Sequence, residues 1–317
     1  MAKLERRINP RPTHADNLVR PGNPRHPPSL ATASILLNDS LMKPTPSRRQ
    51  KSAAGFTRLE LLVVVVALAL LGGVLRPVWG NSGPTRSLVC MDNLRRLQAA
   101  WLLYAEDNQG WLPGNYHGGF VPNSSGREHP WATGWLDWSN HSENTNTVYL
   151  TDPRRACLAP FLGGDVSLYK CPADDYLSFT QVKAGWTSRA RSYAMNCYLG
   201  EGNQPTGPFD SGYPIVRRLA EFGSLPPQQT FVFTEEHPES INDPLLFVSM
   251  NEWRWTDLPG SFHDGSAWFT FADGHLERRS WENPRTVVPV RFMSWTFTSV
   301  QPDDPDLTWV RAHTTAR

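Results

Sequence analysis

Cysteine is scarce in this chain. Cys90, Cys157, Cys171 and Cys197 are its four cysteines in 317 residues, and none forms a CxxC or lies at zinc-module spacing from a histidine. That excludes the short, local metal-binding modules that such spacings mark. Calcium loops of the EF-hand type, internal repeats and recognisable enzyme motifs are missing as well, so the chain is not read as an enzyme. Net charge is small, 31 Lys and Arg against 30 Asp and Glu giving +1. It is unevenly spread, however. Residues 1–54 carry ten Lys and Arg and three Asp and Glu, a net of +7, which leaves −6 for the remainder.

Long apolar runs are also few, and one stands out. Leu59 to Leu75 holds a single charge, Glu60, contains Gly72-Gly73 and is followed by Arg76-Pro77. Its 17 residues are at the lower end of what crosses a bilayer. A secretory signal would show a shorter apolar core and a small-residue cleavage site behind it. The basic block before the run orients it with the N-terminus in the cytoplasm. Nucleic-acid binding is the other use of a basic block, but residues 1–54 lack aromatics and helical periodicity, so no nucleic-acid partner is expected. A carboxylate in a membrane-length segment costs on the order of 2.5–3.5 kcal/mol by insertion scales, and so calls for a functional role and a partner.

Gly55-Phe56-Thr57-Arg58-Leu59-Glu60-Leu61-Leu62 resembles the type IV prepilin cleavage/methylation motif. The resemblance implies that a prepilin peptidase cuts between Gly55 and Phe56, that Phe56 is N-methylated, and that Glu60 acts in assembly with other pilin or pseudopilin subunits. Arg58 departs from the apolar residue usual at its position. The proline-rich leader, 1–55, is long for the family, and Met42 is an internal candidate start. With few large apolar residues, it is expected to be disordered.

The remainder is rich in tryptophan, with all 13 lying from Trp79 to Trp309. Trp131, Trp135 and Trp138 suit either a core or a carbohydrate-stacking platform, and core packing is the stronger expectation. Cys157 and Cys171 flank a loop containing Gly163-Gly164. A disulfide between them would close about 15 residues and stabilise by roughly 3 kcal/mol, although four cysteines allow three connectivities.

Residues 77–84 contain glycines and prolines and predict a helix break. Cys90, Leu94, Leu97, Trp101 and Tyr104 then step by 4, 3, 4 and 3, the stripe of a core helix over 85–107, ending at Asn108-Gln109-Gly110. Short helices are expected within 148–162 and a short strand over 168–174. Further strands are expected at 191–196, 230–234 and 266–272, the last forming a hairpin with 275–281 through an Asp273-Gly274 two-residue turn. Asp264-Gly265 marks another turn.

His263, nine residues, then Asp273-Gly274 resembles the His-x9-Asp-Gly pattern of prepilin-like and type II secretion pseudopilin-like proteins. Cys90-Met-Asp-Asn-Leu, Tyr169-Lys-Cys-Pro-Ala-Asp, Arg191-Ser-Tyr-Ala-Met-Asn and Phe233-Thr-Glu-Glu-His resemble the same family. This implies an α+β fold: a long N-terminal helix, half membrane-spanning and half amphipathic, packed on an antiparallel sheet with long loops. The expected segments are a leader 1–55, a transmembrane helix 56–76, the break 77–84, an exported domain 85–285 and a C-terminal extension 286–317, read as a mobile tail. The expected place is the bacterial inner membrane, single-pass, with the domain outside the cytoplasm. Glu235, Glu236, Asp243 and Asp273 would converge as oxygen ligands for calcium if the strand at Phe231 lies beside the hairpin, and the resemblance implies the same ion, since major pseudopilins often hold calcium; no cofactor beyond that is expected. Two other functions compete with the subunit reading: a membrane-anchored glycan-binding module and an exported enzyme using the carboxylates near Glu235 and Asp273.

Overall fold

The computed structural model describes residues 57–74, 82–118, 129–202, 210 and 212–317. The leader through Gly55, Phe56 and residues 75–81, which take in the last two residues of the expected transmembrane helix and the first five of the expected break, lie outside these. Two compact units are present, 1–74 and 75–317.

In the first unit, α1 (Arg58–Val74) is a 17-residue helix, about 26 Å long at 1.5 Å per residue. Its start is built from the sequence Thr57-Arg58-Leu59-Glu60. Glu60 Oε2 accepts from Thr57 N at 2.8 Å and from Thr57 Oγ1 at 2.9 Å, while Glu60 N donates to Thr57 Oγ1 at 3.3 Å. This reciprocal pairing is a capping box. Leu59 and the residues from Leu61 to Val66 all expose their apolar side chains. No helix among the described residues is long and apolar enough to cross a membrane.

The second unit opens with α2 (Ser82–Asp107). The helix takes in the last three residues of the segment expected to be a break; Pro84 is tolerated because first-turn N–H groups have no helical acceptor. The predicted stripe of Cys90, Leu94, Leu97, Trp101 and Tyr104 is buried along its whole length. The helix ends as predicted, with Gln109 and Gly110 at positive φ and Gly110 N bonded to Ala105 O. Two short helices follow, α3 (Val148–Thr151) and α4 (Phe179–Lys183). The strand expected over 168–174 is instead a 3-10 turn, Val166–Tyr169, with Asp165 accepting from Ser167 N at its start.

The strands are β1 (Tyr193–Asn196), β2 (Phe231–Glu235), β3 (Leu245–Leu246), β4 (Arg254–Trp255), β5 (Ser266–Phe271), β6 (Leu276–Ser280) and β7 (Thr298–Ser299). Five form one sheet in the order β3-β1-β2-β5-β6, antiparallel except for the short β1–β3 pair, and β4 pairs with β7 separately. The fold is α+β. At the predicted hairpin, Phe271 N bonds His275 O and Thr270 opposes Leu276, so three residues rather than two make the loop. Gly274 there has φ +98°. This is the turn-plus-bulge loop that a left-handed residue permits.

The sheet is covered on both faces. Tyr193, Met195, Val232 and Phe233 share a core with the α2 stripe. Ala194, Phe231, Ala267, Phe269 and Phe271 share another with Val300, Leu307 and Val310. The last two belong to α5 (Pro305–Ala312), whose first turn is capped by Asp304 accepting from Asp306 N and Leu307 N. The C-terminal extension is therefore not a mobile tail. It forms the second layer over the sheet.

Candidate functional site

The expected disulfide is not formed. All four cysteines are free and buried. Cys157 Sγ bonds the carbonyl of His129 at 3.2 Å, whereas Cys171 belongs to a different group of side chains. The expected calcium set is likewise not assembled. Glu235 and Glu236 are consecutive in an extended segment, so their side chains leave on opposite faces. Glu236 Oε1 accepts from Ser240 Oγ at 2.8 Å, and burial, with Asp257 nearby, pushes its carboxyl well above the usual range. Asp243 accepts from Gly118 N at 2.6 Å and Leu245 N at 3.0 Å. Asp273 is engaged with His275 Nδ1 at 2.6 Å, inside the hairpin loop. His263 and Asp273 stand at opposite ends of β5, about 20 Å of strand apart. The nine-residue spacing is therefore the length of a strand with a turn at each end.

What the structure does bring together is Cys90, Cys171, Glu235 and His263. Each offers one ligand atom, and these atoms all lie within 4.8 Å of one another. All four residues are buried. It is the sole group of three or more such side chains at metal-binding separations among the described residues. Four separate segments supply it. Cys90 comes from the buried stripe of α2. Cys171 follows the 3-10 turn at 166–169. Glu235 ends β2. His263 precedes β5 in a turn where Asp264 and Gly265 both have positive φ, at 55° and 69°, the conformation that Asp-Gly favours.

Cys90 Sγ lies 2.8 Å from Glu235 Oε1, and His263 Nε2 lies 2.8 Å from the same oxygen. Cys171 Sγ is 3.6 Å from His263 Nε2. Outside this ring, Glu235 Oε2 accepts from Trp268 N at 2.6 Å, and the Tyr193 hydroxyl lies 3.2 Å from Cys90 Sγ. Burial, reinforced by Cys171 and Glu235, pushes the Cys90 thiol well above its ordinary range. Burial opposes ionisation of Cys171 and His263 alike, but is outweighed in both. Contacts with Cys90 and His263 hold Cys171 below the usual thiol range, and contacts with Cys171 and Glu235 push His263 up to about 9.

No family model, curated protein or solved structure matches the chain.

Sequence reasoning singled out Glu235 as an oxygen ligand with other neighbours and His263 only as part of the His-x9-Asp-Gly pattern, and missed Cys90 and Cys171 as their partners. The four residues are separated by 81, 64 and 28 positions, so no local spacing announces them. The available signal was narrower: Cys90 occupies an inward position of the α2 stripe, and Cys171 follows a buried tyrosine. Of Trp131, Trp135 and Trp138, for which core packing is the stronger expectation, Trp131 is a core residue and Trp135 is exposed. Trp131 is fully buried, stacked on Tyr169 and against Phe233.

Proposed function

We propose that the chain is a prepilin-like subunit of a pilus or type II secretion pseudopilus, cleaved after Gly55, methylated on Phe56 and assembled through its N-terminal helix. One observation carries the reading: the Gly55-Phe56-Thr57-Arg58-Leu59-Glu60 motif coincides with the start of α1, and the apolar residues that follow it are exposed. Contiguous exposed apolar surface of this kind marks contact with a membrane or another protein. The basic leader argues for a cytoplasmic N-terminus, and the α+β unit after residue 75 would then lie outside.

Glu60 has two successive roles in this reading. In the precursor its carboxylate caps α1 through Thr57, one residue from the nitrogen that cleavage frees. After cleavage, Glu60 of one subunit pairs with the Phe56 amine of its neighbour. That pair forms in hydrocarbon, where it counts for far more than the roughly 0–1 kcal/mol of a surface ion pair. The apolar helices then pack side by side.

The test is the intact mass and N-terminus of protein taken from membranes with and without the prepilin peptidase. The expected result is a chain beginning at N-methylated Phe56 only when the peptidase is present. An uncut chain, or one cut behind the apolar run, rejects the reading. Glu60→Ala should insert into membranes and fail to assemble; assembly at the unaltered level would remove Glu60 from the mechanism.

A further inference from the structure

We propose that Cys90, Cys171, Glu235 and His263 bind one zinc ion, as a closed structural site that ties α2 and the Cys171 segment to the sheet. The inference stands independently of the subunit reading above.

The donor set carries it. Two cysteine sulfurs, one imidazole nitrogen and one carboxylate oxygen converge within 4.8 Å, all buried. Zinc takes Cys sulfur at about 2.3 Å and His nitrogen at about 2.0–2.1 Å in a tetrahedron, which sets adjacent S and N ligands roughly 3.5 Å apart. Cys171 Sγ and His263 Nε2 are 3.6 Å apart. Glu235 Oε1 is nearer its neighbours, at 2.8 Å from both Cys90 Sγ and His263 Nε2, the separation of direct hydrogen bonds. Moving that oxygen outward by less than about 1 Å would bring both of these separations to the spacing of tetrahedral ligands, and the remaining three pairs lie within 4.8 Å.

The surroundings are those of a held ligand set. Glu235 is fixed through its other oxygen by the Trp268 N–H, and the Tyr193 hydroxyl lies at hydrogen-bond distance from Cys90 Sγ. Outer contacts of this kind orient metal ligands. Thiolate and imidazole donors favour zinc over calcium or magnesium, which prefer oxygen. Four protein ligands leave no open position, which is the mark of a structural rather than a catalytic zinc site. On binding, the ion displaces the thiol protons of Cys90 and Cys171 and any proton on His263 Nε2, and these are released to solvent.

Two thiols this close have one competing fate, a Cys90–Cys171 disulfide, and the experiment separates the two. The full-length chain is purified in detergent without chelator or reductant. Its metal content is measured by mass spectrometry, and its thiols are counted after denaturation in chelator. The expected result is about one zinc per chain and four titratable thiols. Cobalt(II) replacing the zinc should give a sulfur-to-metal charge-transfer band and the intense visible bands of a tetrahedral site. Cys90→Ser and Cys171→Ser should lose the zinc, whereas Cys197→Ser, made at a buried cysteine outside the group, should keep it. Should the ligand variants fail to fold, Tyr193→Phe supplies the measurement, with zinc affinity expected to fall about 10–100-fold. Absence of zinc with four free thiols, or two thiols and a Cys90–Cys171 bond, overturns the proposal. So does zinc retained in Cys90→Ser. An unprocessed N-terminus would leave the zinc result unaffected.

Discussion

Asp174 is buried, and its carboxylate is charged because two cations lie against it, Arg189 buried and Lys170 partly exposed. Lys170 Nζ lies 2.6 Å from Oδ2, the Ser192 hydroxyl donates to the same oxygen at 2.7 Å, and Arg189 approaches to 3.9 Å. Burial disfavours the anion, but Lys170, Arg189 and Ser192 outweigh it and hold Asp174 below the ordinary carboxylate range. A depressed acid contributes stability that is present above its unfolded value, near 3.9, and is lost as pH falls through the folded one. Asp174→Asn leaves the buried Arg189 and the half-buried Lys170 without their anion, a loss of up to about 3–5 kcal/mol, the figure for a fully buried pair. Denaturant unfolding at neutral pH should show that loss, and the variant's stability should fall less steeply than the parent's below about pH 4. An Asn variant within 1 kcal/mol of the parent, marked off by roughly the effect of an ordinary surface change, would mean that the cluster contributes no net stability. The sequence offered Lys170, Cys171 and Asp174 only as parts of one short string. The burial of Cys171 and Asp174 depends on the 3-10 turn at 166–169, which overlaps the strand expected over 168–174.

At the scale of elements, legibility followed periodicity. The α2 stripe is read from its 4-3-4-3 spacing because one face is buried for its whole length. The β5–β6 hairpin is read from alternation and Asp-Gly, although the loop has three residues. The C-terminal layer was lost because α5 is eight residues long and β7 is two, too short to show a period. An indirect signal was available in β2 and β5. Phe231-Val232-Phe233 and Trp268-Phe269-Thr270-Phe271-Ala272 are nearly continuous apolar runs, which suit strands covered on both faces. Part of the second cover comes from residues after Trp281, Val300, Leu307 and Val310, beside Leu246, Val248, Trp255 and Leu258 from before it. Leu307→Ala should therefore destabilise the protein by about 2–5 kcal/mol, and Asp304→Ala should cost about 1 kcal/mol through the lost cap. Val287→Ala, at an exposed position of the same extension, should stay within about 0.5 kcal/mol. Thermal unfolding of the three variants separates a packed layer from a tail, since a tail would leave all three alike.

At the scale of the whole molecule, the site residues are far apart in sequence and meet only once α2, the Cys171 segment, the end of β2 and the His263 turn have taken their places. Sequence alone could indicate inward-facing residues on each element, but not which of them face one another across the core. That convergence has a thermodynamic consequence. A zinc ion that needs all four ligands binds the folded chain and not the unfolded one, so it stabilises by RT ln(1 + [L]/Kd), about 4 kcal/mol at a thousandfold excess over Kd. For a unit of this size, each kcal/mol moves the unfolding midpoint by about 2–4 °C. Zinc should therefore raise the midpoint of the full-length protein by on the order of 10 °C. A strong chelator should reverse the rise, and calcium at the same concentration should not reproduce it, because thiolate and imidazole are poor calcium ligands. His263→Ala should abolish the zinc-dependent part of the shift. A midpoint indifferent to zinc and chelator, or raised equally by calcium, would show that the four side chains hold the core together through their own hydrogen bonds, with the Glu235 carboxylate as the hub.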